Sequence, residues 1–159
     1  MKFDYVDSFS IQLDRGDVQS WEPIAAFFYS SPKWFNYLFK LRNGIVKKFG
    51  LKVGMANLDE IKPPLHIGDR FGLFELFEIN KNEGILGEND FHLNFRLSFM
   101  IDDNNVLHTT TAIVFNNVFG KIYLVIVKPF HKFIAKLMIK RMAKDINNKS
   151  LPQHKVVEI

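Results

Sequence analysis

The chain has 159 residues, 47% of them apolar and 24% charged. That suits one globular domain burying roughly 70% of its unfolded surface and argues against a disordered or fibrous protein. The absence of Cys excludes disulfides, thiolate metal sites and a thiol nucleophile. The net charge of +4 is uneven, because Lys128 onward carries eight Lys/Arg against Asp145 and Glu158 (+6), leaving −2 for residues 1–127.

The opening MKFDYVDSFS has acidic Asp4 and Asp7 and no apolar run, so no signal peptide is expected, and no apolar run approaches bilayer length. These features predict a cytoplasmic protein. Phe3, Tyr5, Phe9, Ile11 and Leu13 alternate with mostly polar neighbours, which predicts a half-buried strand over 3–13. The RGD at 15–17 reads as a turn. Ser20 is placed to cap a short helix that tolerates Pro23 in its first turn. A second helix is expected to restart at Ser31-Pro32 and stop at Gly50, with a stripe of Trp34/Phe35, Leu38, Leu41, Ile45 and Phe49. Residues 51–70, with Gly54, Pro63-Pro64 and Gly68-Asp69, form the longest expected loop.

Strands are predicted over 71–80, 83–89, 90–101 and 106–117, parted by Asn82, by Gly87-Glu88-Asn89 and by Asp102 to Asn105. Short turns make such neighbours antiparallel. In 90–101, alternation puts Phe91, Leu93, Phe95, Leu97 and Phe99 on one face and His92, Asn94, Arg96 and Ser98 on the other. That polar row either meets water or lines a cavity. The 17 Phe agree with a β-rich core. A helix over 120–146 is expected from the stripe Phe119, Tyr123, Ile126, Val127, Phe130, Ile134, Leu137, Met138 and Arg141, with a kink or fresh start possible at Pro129. The expected organisation is one domain over 1–147 and a loose tail over 148–159. The order strand, two helices, antiparallel strands, long helix predicts an α+β fold with helices on one face of a bent sheet.

HLNFRLS at 92–98, the Thr-rich strand, NNVFGKIYLVIVKPFHKFI at 116–134 and PKWFNYLFKLRNGIVKKFGLK at 32–52 resemble an uncharacterised bacterial domain-of-unknown-function family, number 2867. The resemblance covers roughly residues 3–145. It rests most on Trp34, Leu41-Arg42-Asn43, His92, Phe95-Arg96, Gly120, Tyr123 and Pro129-Phe130-His131. That family is grouped with the START-like (birch-pollen-allergen-like, polyketide-cyclase-like, SRPBCC) helix-grip proteins. The resemblance therefore implies a curved sheet wrapped around a long C-terminal helix with an apolar cavity between them. It transfers no catalytic residue.

The candidate site residues are His92, Arg96, His131, Tyr123, Trp34 and Arg42. His131 can satisfy backbone freed by Pro129, or join His92 and Arg96 to hold an anionic or carbonyl group, or do acid–base work. No partner carboxylate for it is evident. Arg42 can pack its stem and pair its head outside the stripe, and Tyr123 can pack with its hydroxyl bonded. Lys128, Lys132, Lys136, Lys140 and Lys144 recur every four residues, as solvated surface or as a weak contact for acidic membrane. Nucleic acid is not expected, since no recognition motif accompanies the lysines. The five scattered His predict no metal site, and no cofactor is expected without a glycine-rich phosphate loop. The leading expectation is a binder of a hydrophobic or lipid-like small molecule. The alternatives are a cyclase- or hydratase-like enzyme using the same cavity, and an interaction module with a packed core.

Overall fold

The computed structural model describes residues 2–33 and 61–152, together with Tyr37, Lys40, Asn43, Gly44 and Lys47. Trp34, Arg42 and most of the second expected helix therefore lie outside the described residues. The elements in chain order are β1 (Tyr5–Gln12), α1 (Trp21–Tyr29), β2 (Arg70–Phe71), β3 (Phe74–Ile79), β4 (Glu83–Asn89), β5 (Leu93–Ile101), β6 (Val106–Phe115) and α2 (Val118–Asn147).

The strands form one antiparallel, curved sheet in the order β1-β6-β5-β4-β3-β2. The protein is α+β, as expected. The span 71–80 is divided: Gly72, at φ 65°, takes the left-handed conformation that turns β2 into β3. The turn between β4 and β5 falls at 90–92 rather than at Gly87-Glu88-Asn89, and those three residues belong to β4. Gly87 is needed there for another reason, since a Cβ would collide with the Phe95 carbonyl on β5.

The covered face of the sheet carries Phe9 and Ile11 on β1, Leu107 and Thr109 on β6, Phe99 and Ile101 on β5, and Leu86 on β4. Against them pack Ile24, Ala25 and Phe28 of α1 and Ile139, Met142 and Ile146 of α2. The aromatic rings of Phe27, Phe28, Phe71, Phe74, Phe95 and Phe99 meet at centroid separations of 5.1–5.8 Å, mostly edge to face, which accounts for much of the Phe content. Arg15 of the RGD turn is structural: it bonds Asp17 at 2.9 Å, Glu22 at 2.7 Å and the Ile146 carbonyl of α2 at 2.9 Å. Leu151 packs into the same core.

α2 is one helix through Pro129, capped by Asn117, whose side chain accepts from the amides of Phe119 and Gly120. Its rotation differs from the expected stripe. Gly120, Leu124, Met138, Ile139, Met142, Ala143 and Ile146 are buried, whereas Phe119, Ile126, Phe130 and Arg141 are exposed. The first four turns are apolar over more than half their circumference, so periodicity does not choose which part meets the sheet. Gly120 does: a Cβ there would overlap the His92 carbonyl, and only a bare backbone lets that face of the helix press on the strand end.

Candidate functional site

The hydrophobic interior is divided in two. The larger cluster lies around Phe99, Leu107 and Met142, and a smaller one joins Leu93, Ile113 and Leu124 to Tyr5, Phe95, Phe115 and Tyr123. Leu124, His131 and Met138 fall seven residues apart and so line up along one face of α2. Leu124 belongs to the small cluster, and Met138 is buried. His131, between them, meets a polar step in the sheet.

That step is built by register. Asp7 of β1 pairs with Thr111 of β6, Thr111 with Leu97 of β5, and Leu97 with Leu86 of β4, so the four form one row across the covered face. His131 Nε2 lies 3.2 Å from Asp7 Oδ2. The Tyr5 hydroxyl donates to the same oxygen at 2.8 Å. Burial by itself raises the Asp7 pKa, but the hydrogen bonds from His131 and Tyr5, the charge of His131 and a contribution from Thr111 outweigh it, and the carboxyl is held below its usual range. The Tyr5 phenol is pushed up to about 12, first by burial and then by its bond and proximity to Asp7. Lys128 and Lys136 flank the group, their ammonium groups 5.1 Å from the Tyr5 ring centroid and 6.0 Å from that of Phe9. Two of the five row lysines thus brace α2 on β1.

The sequence supplied His131 but not its carboxylate. Asp7 sits on the apolar parity of β1, between Tyr5 and Phe9, and a charge on that face was the available signal. Beside the pair, Phe95 and Leu97 are only half-buried although β5 is an interior strand, while Phe99 on the same strand is 1% exposed. Thr111, Val127 and Ile134 are half-buried too. Among the described residues, burial is thus deeper at the α1 end of the interface than around His131.

The other expected residues disperse. His92 is not on a strand: it closes the turn before β5, is buried, and meets Tyr123 of α2 edge-on with centroids 5.1 Å apart. Its Nδ1 lies 3.6 Å from Asp90 Oδ2. The alternation assumed over 90–101 therefore fails at its first residues, and His92 and Arg96 do not share a face. Arg96 lies on the far side of the sheet, where it lines a shallow trough with Phe3, Phe77, Ile85, Ser98 and Thr110. Its guanidinium stacks 3.7 Å from the centroid of Phe77, at the β3 bulge, and donates to the Phe95 carbonyl at 2.7 Å and to Asn89 Oδ1 at 2.9 Å. These are contacts of a side chain that buttresses the β3–β5 surface, outside the space between sheet and helix. Tyr123 stays beside that space; Trp34 and Arg42 fall outside the described residues.

The family described as protein of unknown function (DUF2867) matches residues 1–138, and the chain belongs to it. No curated protein and no solved structure matches the chain.

Proposed function

We propose that this member of the family binds an apolar small molecule between the central strands and α2, as a helix-grip protein of the START-like kind would, with the Asp7–His131 pair as its polar anchor. The observation that carries the reading is the half-burial of Phe95 and Leu97 on an interior strand, in the rows of the covered face that Tyr5 and Asp7 begin. Apolar walls with one or two fixed polar groups are the usual make-up of small-molecule sites. Asp7 fixes His131 through Nε2 and leaves Nδ1 as the group that meets a ligand oxygen. Tyr5 and Lys128 close the β1 side. His92, with Tyr123, closes the end nearest the helix N-terminus.

Native mass spectrometry of the purified protein tests this by looking for a co-purifying apolar mass. Leu97→Trp, which fills the gap from the sheet side, is expected to release that mass while the protein stays folded. A wild-type protein that carries no ligand and takes up no long-chain fatty acid or naphthalene probe would contradict the reading. A second reading, acid–base catalysis in the same space, is favoured by the Asp7–His131 pairing, because a carboxylate on one imidazole nitrogen orients the ring for proton transfer at the other. The two separate on turnover: a bound ligand is recovered unchanged under the first and altered under the second.

A further inference from the structure

α2 carries a second apolar face whose side chains are exposed and which no other described element covers. Phe119, Ile122, Ile126, Phe130 and Phe133 follow one another at three- and four-residue steps, and each is more than half exposed. Val118 and Val125 widen the ridge, and Phe91, whose carbonyl accepts from Asn117 at 2.9 Å, extends it past the helix N-terminus. The ridge runs roughly 22 Å along the helix at 1.5 Å per residue. It lies on the side away from Leu124 and His131, so it is separate from the space assigned to a ligand above.

Contiguous exposed apolar surface of this kind marks an interaction site, and the surrounding charge indicates with what. Lys121 and Lys132 border the ridge along one flank, and Lys140 and Lys144 continue at its C-terminal end, while Lys128 and Lys136 turn back over Tyr5 and Phe9 of β1. From Val118 to Asn147 there are seven Lys/Arg and one acidic residue, Asp145. We infer that this face of α2 docks on the surface of an anionic lipid bilayer, with the Phe and Ile side chains entering the headgroup–acyl boundary and the lysines at the phosphates. Aromatic and aliphatic side chains on one face with lysines beside them are the composition of a helix lying in an interface. A second copy of the chain fits less well, since antiparallel two-fold pairing brings both lysine rows to one side of the contact. No helix among the described residues is long and apolar enough to cross a membrane, so contact is with one leaflet.

The experiment is co-sedimentation of the full chain with phosphatidylcholine vesicles, with and without phosphatidylserine. Wild type is expected to bind anionic vesicles at least about tenfold more strongly than neutral ones, and to lose most of that preference in high salt. Phe130→Ser with Phe133→Ser should weaken binding by about tenfold or more at an unchanged melting temperature, because both side chains are exposed. Lys121→Glu with Lys132→Glu should abolish the preference for anionic lipid. Three results would overturn the inference. One is wild type remaining in the supernatant as a monomer. Another is a wild-type dimer in sedimentation equilibrium that Phe130→Ser dissociates, which makes the occupant a second copy. The third is a large fall in melting temperature for Phe130→Ser, which makes the ridge part of the protein's own packing.

Discussion

Replacing Asp7 by Ala removes the acceptor shared by His131 and Tyr5, and the consequences can be worked out from the two bonds. The Tyr5 hydroxyl, at 2.8 Å from Oδ2, loses a charged acceptor and is partly buried; His131 Nε2, bonded to Oδ1 at 3.4 Å, can turn some of its ring toward water. A buried donor left without a partner costs about 1–3 kcal/mol, and the partial exposure of both groups sets the total near the middle of that range, about 2 kcal/mol. For a chain of this length that is a fall of roughly 4–8 °C in melting temperature. The pH dependence gives a sharper signature. Because the folded Asp7 pKa is lowered, its contribution is complete above the unfolded value of about 3.9 and disappears as pH falls through the folded one. The stability difference between wild type and Asp7→Ala should therefore shrink as pH falls below about 4. At the alkaline end the raised Tyr5 pKa works in the opposite direction: wild-type stability falls from about pH 10, where the unfolded phenol ionises, to about 12. Part of that loss should vanish in the variant, which lacks the Asp7 bond and charge. Urea denaturation across the pH range measures all of this. A variant with the wild-type midpoint at pH 7, or a difference that stays constant down to pH 2.5, would refute the pairing.

The remaining predictions separate core from surface. Phe99→Ala should cost about 3–5 kcal/mol, since Phe99 is 1% exposed on an interior strand, and denaturant midpoints will show it. Arg96→Ala should cost much less and leave apolar-probe affinity unchanged, because its contacts are to Phe77, Asn89 and backbone on the far face; a loss of probe binding would return Arg96 to the site. Gly120→Ala should lower the melting temperature more than an ordinary helix Gly→Ala change raises it, because its Cβ would strike the His92 carbonyl; an unchanged or raised melting temperature would show that this contact does not set the helix rotation.

Where a segment has one dominant local preference, the residues revealed it. The alternation of β5 and β6, the Asp102–Asn105 turn and the length of α2 through Pro129 all follow from period and turn chemistry within a few neighbours. Features set by long-range packing did not show. The rotation of α2 depends on one glycine pressed against a carbonyl about thirty residues earlier in the chain, and the wide apolar arc gave no hint of it. His92 has the parity of a strand residue, but Asp90 and Phe91 form a turn that carries it beneath Tyr123. The Asp7–His131 pair joins residues 124 positions apart through the β1–β6 register, which no local pattern encodes. Membership of DUF2867 was legible from the motifs, while the family itself carries no known activity to transfer.

The central claim is that the region around His131, between the sheet and α2, is a ligand site. Its most direct test is a two-dimensional NMR titration of the isotopically labelled protein with a naphthalene-sulfonate probe. Saturable shifts are expected at Leu97, Thr111, Val127, His131 and Ile134, on both walls of that space, and should be lost in Leu97→Trp. Shifts confined to the far face around Phe77 and Arg96, or none at saturating probe, would contradict the account.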